Sequence, residues 1–489
     1  MNHQSFQRLQ QQLTVLEAKM LAECDKRKQL LDAIHPEQFS AARNLIHYLV
    51  LRNEDIRPLQ DLLHINGLSS LASSESHIRR QLQSIRERLG HEYDKNEIET
   101  CDYTFSLKEI SKKSEMLFGS KPHPLQPHIM VTFDTSFAEN YSIIKSLLQN
   151  GMNVARINCA HDDEVTWSRM IHHLKRASRH TGITCKIYMD LAGPKFRSIL
   201  LKKGKRKGLV KIKEGQLVWL TDDTKGFGDD DVVISPNEKG IIGALKKGDR
   251  IYFDDGVIKA QVEKIKKDAV AARIIRIAEK ENQIKQNKGI NFPDTYINIP
   301  SLTDFDLQCL PFVCSHADLL GYSFVRNVSD LETLMSKLKE FSPGAPSIVL
   351  KIETPQAVEN LPGLLLCGMI QKVFGVMIAR GDLAVEIGFE RMGEIQEEIL
   401  WICEAAHVPV IWATQVLENL NKAGIATRSE ITDASYAAMA ECVMINKGDH
   451  TVEVLETLRD ILHRTAGHHS KKRFMFRPLN IAKRFIDAK

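Results

Sequence analysis

The chain has 489 residues, 43% of them hydrophobic and 26% charged, with a formal net charge of +4. That length exceeds one small core and points to roughly three domains, while so modest a charge gives no case for nucleic-acid binding. No apolar run is long enough to span a bilayer, and residues 1–7 lack the basic start and apolar stretch of a secretory signal, so a cytoplasmic protein without membrane association is expected.

Residues 1–125 read as a helical amino-terminal extension and linker. Phe6, Leu9, Leu13, Leu16 and Met20 follow a 3-4-3-4 spacing, and Ile78, Leu82, Ile85 and Leu89 follow 4-3-4, each giving one apolar helix stripe. The charged Glu23 interrupts the first stripe, which predicts packing within a helical domain rather than a coiled coil. Gly67 and Gly90 sit where helices would stop, and Ser74 or Ser76 is placed to cap the helix that contains Ile78.

From residue 128 onward, short apolar runs alternate with helix-length amphipathic segments. Strands are predicted over 128–134, 154–160, 185–193, 317–325, 347–353, 373–383, 409–415 and 442–448. Eight such units predict an α/β fold, a (β/α)8 TIM barrel formed by 126–197 and 294–465. The intervening 198–293 differs: β-like segments at 216–220, 250–253 and 257–262, separated by Lys-Gly and Asp-Asp-Gly turn signals, predict a small all-β domain inserted as a lid. Its basic run from Lys202 to Lys213 reads as solvated surface ahead of the alternative, attraction of a nucleotide, and the same holds for the basic tail 466–489 with Lys471, Lys472 and Arg473. The nine cysteines form no CxxC pair, which argues against a disulfide framework or zinc site and for small buried hydrophobes.

The chemistry gathers at strand ends. The fifth strand ends Lys351-Ile352-Glu353, whose two charges are two residues apart and face one site, and the sixth runs into Arg380-Gly381-Asp382. Glu353 and Asp382 could hold a hard divalent cation with Lys351 as a fixed charge beside it. Arg156 and Asn158 share one face of the second strand; the third ends at Asp190 and leads into Gly193-Pro194-Lys195-Phe196-Arg197; the seventh supplies Thr414. Each has a bland reading taken singly, as a turn, a loop or a cross-strand hydrogen-bonder. Together, four cations, three carboxylates and a hydroxyl at the carboxyl ends of five strands form a pattern that scattered surface charge rarely makes. Phosphoryl transfer needs such a set, because its demand on protein is positioning and charge neutralisation. The chain has no GxxxxGK[ST] loop, no HRD or DFG pair and no GxGxxG after a strand.

Several segments, in order over 128 to about 465, resemble the pyruvate kinase family. They are Gly151 to Asn158, Asp190 to Arg197, Asp254-Asp255-Gly256, Lys288 to Pro293, Lys351-Ile352-Glu353, Ala379 to Leu383, Ala413 to Glu418 and Thr427 to Glu430. The resemblance implies a barrel with a β lid and transfer of phosphate from phosphoenolpyruvate to ADP, giving pyruvate and ATP. It implies Mg²⁺ (or Mn²⁺) on Glu353 and Asp382, Lys351 on the transferring phosphoryl group, and Thr414 beside the substrate and the proton path to the enolate. The backbone of Gly381 and Asp382 would receive the substrate carboxylate. Arg156, Asn158 and Arg197 would contact phosphates, with His161 and Lys288 on the nucleotide side. K⁺-independent members resemble the Asp190 to Lys195 run seen here, so K⁺ is expected not to be required, with Lys195 as its substitute and Asp190 nearby. Ala160, where that family carries a small hydroxyl residue, fits this.

Three departures bear on function. Thr132 to Ala138 replaces the family's glycine-proline loop and its arginine, and Asn446-Lys447-Gly448-Asp449 replaces the Ser-Gly-Glu loop after strand eight. The family's regulatory carboxyl-terminal domain, with its sugar-phosphate activation, is expected to be missing. The rival readings are a pseudoenzyme that senses a metabolite or binds a partner through its helical extension, and a phosphotransferase with a changed donor or acceptor. Homo-oligomerisation is left open.

Overall fold

The computed structural model describes residues 3–121, 123, 125–278, 282–296, 299–341, 344–466, 469–470 and 473–474. Eight parallel strands close a barrel in sequential order: His128–Thr132, Val154–Asn158, Lys186–Asp190, Leu319–Tyr322, Ser347–Ile352, Gly375–Ala379, Val410–Ala413 and Cys442–Ile445. Most of their residues are apolar and buried, as in parallel strands covered by helices, the polar exceptions standing mainly towards strand ends. Each lies within its predicted window, but the sixth is shorter than predicted. Residues Arg380–Ile387 form a helix instead of continuing the strand, because the backbone turns at Ala379 and the following amides enter intrahelical bonding.

Between the third and fourth barrel strands the chain builds a seven-stranded sheet with its own apolar core, including Leu220, Ile251, Phe253, Ile258 and Phe292. Its strands include Leu217–Thr221, Arg250–Phe253 and Ile258–Lys266. Lys203, Lys205, Arg206, Lys207, Lys211 and Lys213 are exposed. Asp254, Asp255 and Gly256 all take left-handed backbone, which makes the turn that points this sheet at the barrel.

The amino-terminal region is helical: His3–Lys26, Phe39–Arg52, Arg57–Ile65, Ile78–Arg88 and Tyr103–Phe118 are its main helices. Leu9, Leu13, Leu16 and Met20 are buried along the first, and Ile78, Leu82 and Ile85 along its partner. Gly67 and Gly90 follow helix ends with positive φ. The expected serine cap is absent. Asn44 from another helix accepts the Ile78 N–H at 2.9 Å, so the orphan amide is satisfied across the packing interface rather than locally.

The extension packs on the outside of the barrel, where Asn44 Nδ2 donates to the Ala405 carbonyl (2.8 Å) and Gln38 Nε2 to that of Lys372 (2.9 Å). It also closes the barrel from below. Leu117 and Phe118 join the inward residues Met130, Val154, Tyr188, Val349, Met377 and Met444 in one buried cluster. Phe118 lies 5.3 Å from the ring of His128, which begins the first strand.

All nine cysteines are free and none pairs, most of them buried as small hydrophobes. Among the described residues no helix is long and apolar enough to cross a membrane. Apart from the short pair His469–Ser470 and Arg473–Phe474, the basic tail from 467 lies outside the described residues.

Candidate active site

The carboxyl ends of the strands converge on one charged centre. Lys351 is nearly buried on the fifth strand; its Nζ lies 3.1 Å from Glu353 Oε1, 2.7 Å from Ser323 Oγ and 3.7 Å from Asp190 Oδ1. Lys351 and Glu353 meet because strand alternation turns both inward. Glu353 also accepts the Phe324 N–H at 2.7 Å, made possible by the positive φ of Phe324. Burial pushes the Glu353 carboxyl up, Lys351 pulls it down and Asp382 pushes it up again.

Asp190 is completely buried at the end of the third strand. One of its oxygens takes Arg156 Nε at 2.6 Å and a second guanidinium nitrogen, while Arg156 Nη1 donates to Thr132 Oγ1 at 3.0 Å. Burial alone would raise the Asp190 carboxyl, but the Arg156 and Lys351 charges hold it below the usual carboxylate range.

Asp382 lies in the first turn of helix Arg380–Ile387, and Lys195 Nζ sits 2.7 Å from its Oδ1 and 3.5 Å from Asp255 of the inserted sheet. Lys195 therefore faces Asp382, whereas Asp190 is occupied by Arg156. Burial pulls the Lys195 ammonium down but Asp382 and Asp255 raise it above its ordinary value, so it stays charged. Among the described residues no three His, Cys, Asp or Glu converge on one point. The Asp382 charge disfavours ionisation of Glu353, and the two carboxylates suit a cation such as Mg²⁺ that keeps several waters in its shell.

Thr414 ends the seventh strand in a strained turn: Thr414, Gln415 and Leu417 all have positive φ. The turn is clamped by Arg380, which donates to the Ala413 carbonyl at 3.0 Å, pairs with Asp433 and stacks on Trp412 at 4.6 Å. Thr414 Oγ1 accepts the Gly381 N–H at 2.8 Å, joining the sixth and seventh strand ends.

The remaining sequence candidates lie around the rim. Asn158 caps its own turn by accepting the Ala160 N–H at 3.0 Å. His161 is exposed, its imidazole lowered by partial burial, Lys447 and Arg197. Arg197 Nη1 reaches the Asn287 carbonyl at 3.1 Å, and Lys288 pairs with Asp254 at 3.0 Å; both are therefore engaged at the inserted sheet, away from Lys351. A cavity of about 540 Å³ opens between Thr132, Asp134, Arg156, Asn158, His161 and Lys447. Within it Asp134 binds the Ser136 N–H (2.9 Å) and Thr135 donates to Asp162 (2.7 Å), so the altered first loop is self-satisfied.

Four groups escaped sequence reasoning: Ser323 beneath Lys351, the Arg380 clamp, Tyr188 below Asp190, and Glu386. The last accepts Asn291 Nδ2 at 2.8 Å, tying the barrel to the returning strand of the inserted sheet, and burial pushes its carboxyl up to about 7. The Arg380-Gly381-Asp382 run and the serine after the fourth strand carried a signal for two of them; Tyr188 and Glu386 looked like ordinary strand and helix positions.

Fold and site define an α/β-barrel protein whose carboxyl face carries the cations and paired carboxylates of an anion-handling centre. Residues 126–452 match the family described as pyruvate kinase, barrel domain. Similar proteins include the pyruvate kinase of Thermotoga maritima, 30% identical over 70% of this chain and 70% of that protein. The pyruvate kinase of Bacillus licheniformis is 30% identical over 68% of this chain and 56% of its own length. The cytosolic isozyme of Glycine max is 33% identical over 63% and 59%. The chain belongs to the pyruvate kinase family; it spans little more than half the length of several of these curated relatives.

Proposed function

We propose that this chain transfers the phosphoryl group of phosphoenolpyruvate to ADP, with Mg²⁺ and without a need for K⁺. The observation that carries the reading is the buried Lys351 ammonium, 3.1 Å from Glu353, on the barrel face that also carries Arg156 and Asp382. Two fixed cations, Lys351 and Arg156, can neutralise the equatorial oxygens of a phosphoryl group as its bond to the enol oxygen breaks and its bond to the acceptor oxygen forms. Mg²⁺ held by Glu353 and Asp382 would add a charge clamp on the same oxygens.

Thr414, fixed by its bond to Gly381, is assigned to the proton path to the enolate carbon. The substrate carboxylate is assigned to the first turn of the helix holding Gly381 and Asp382, with the Asp382 amide as its donor while the Gly381 N–H stays on Thr414 Oγ1. Asn158, Arg156 and Arg197 are assigned to phosphates, and His161 and Lys288 to the nucleotide side. Lys195 supplies a permanent positive charge beside Asp382, and Ala160 has no hydroxyl with which to ligate a monovalent ion.

The second reading, a pseudoenzyme that senses a metabolite or binds a partner, draws support from the self-satisfied Asp134 loop at the nucleotide side. A coupled assay for pyruvate formation from phosphoenolpyruvate, ADP and Mg²⁺ separates the two. Turnover that is abolished in Lys351→Met supports phosphoryl transfer, and no turnover in the folded wild-type protein sinks it.

A further inference from the structure

We propose that Tyr188 is a positioning residue for this site, its hydroxyl fixing Asp190 so that Arg156 and Lys351 are held in register; this rests on the function proposed above. Tyr188 and Asp190 are two apart on the third barrel strand, so both side chains point into the barrel. Across the strand pair, Gly321 is the partner of Asp190. A Cβ at Gly321 would lie 2.0 Å from Asp190 Oδ1 and 2.1 Å from the Tyr188 hydroxyl oxygen, so the two oxygens converge on space that only glycine leaves open.

Both oxygens are buried against each other, and neither has a hydrogen-bond partner outside this pair. Leaving two such groups unpaired is costly, and a phenolic hydroxyl can turn to donate to a neighbouring carboxylate oxygen. Asp190 is the anion shared by Arg156, from the second strand, and Lys351, from the fifth, with Glu353 the other charge on that strand. Its orientation therefore sets where both cations aim. The Tyr188 ring is packed from below in the cluster that contains Leu117 and Phe118, so it can hold its hydroxyl against a fixed floor. The last helix of the extension thus reaches the phosphoryl site through one side chain.

Tyr188→Phe removes the hydroxyl and keeps the ring. We expect kcat to fall about ten-fold, the phosphoenolpyruvate KM to change less than about two-fold and the Tm to stay within a few degrees, the pattern of a lost charge-assisted bond felt in the transition state. In an Asp190→Asn background the same substitution should cost nothing further. Wild-type kcat in Tyr188→Phe, or losses that add in the double variant, would overturn the proposal. Should the wild-type protein form no pyruvate, the function above falls, and the acid limb of Tm against pH decides this inference alone. Asp190 has a depressed folded pKa, so its contribution is present above the ordinary carboxylate value and lost as pH falls. Tyr188→Phe should move that loss to higher pH; superimposable limbs refute the role.

Discussion

Replacing Lys351 by methionine tests the centre most directly. The ammonium lies 3.1 Å from Glu353 and 3.7 Å from Asp190, and each such pair is worth on the order of 4–5 kcal/mol in an effective dielectric near 20, largely offset by desolvation. Its removal strands two buried carboxylates. Asp190 keeps Arg156, and Glu353, already pushed up by burial, can take a proton, so the stability cost should be about 2 kcal/mol instead of the larger penalty of an unpaired buried charge. The catalytic cost is greater. Cations aimed at a transferring phosphoryl group carry factors of roughly 10³ or more, so kcat should fall about a thousand-fold, or about 4 kcal/mol of barrier. Steady-state turnover in the coupled assay and thermal unfolding by circular dichroism measure the two separately. A folded Lys351→Met protein that keeps more than about a tenth of wild-type turnover would refute the assignment of this barrel face.

Glu353→Gln or Asp382→Asn should raise the Mg²⁺ concentration for half-maximal activity by at least about ten-fold, and weaken Mn²⁺ binding in a direct titration; unchanged Mn²⁺ affinity in both would remove these carboxylates from the metal site. Activity in buffer whose only monovalent cation is bulky and organic should be near maximal, and Lys195→Glu should create a K⁺ requirement; many-fold stimulation of the wild type by K⁺ would contradict the role given to Lys195. Glu386 has a folded pKa raised to about 7, so it holds a proton that the unfolded chain has lost between its ordinary value and neutrality, and stability from this group declines as pH rises through that window. Glu386→Gln should therefore be more stable than wild type at pH near 8 by about 3 kcal/mol, with the difference vanishing towards pH 4; equal unfolding curves at both pH values would show that Glu386 carries no such penalty.

The barrel was legible because its strands are short, apolar and regularly spaced, and the site because Lys351, Glu353, Asp190 and Arg156 stand at strand ends where alternation alone aims them inward. Other features depend on what faces them in space. Residues 380–383 extend the predicted sixth strand on paper, yet the chain turns into a helix there, with Arg380 bonded back onto Ala413 and Asp433 of later segments. The cap of Ile78 comes from Asn44, 34 residues earlier, so no local serine pattern could reveal it. Tyr188 looks like a strand aromatic until Gly321, far along the chain, is seen to clear space for its hydroxyl.

The helix Tyr103–Phe118 changes what counts as one cooperative unit. Its terminal Leu117 and Phe118 share a buried cluster with most strands of the barrel, and the earlier helices share another with the barrel's outer helices, while the inserted sheet keeps a core of its own. Segments that share a core lose it together, and segments with separate cores need not. By that criterion the helical extension and the barrel are a single thermodynamic body, and the independent partner is the sheet inserted in the middle of the chain.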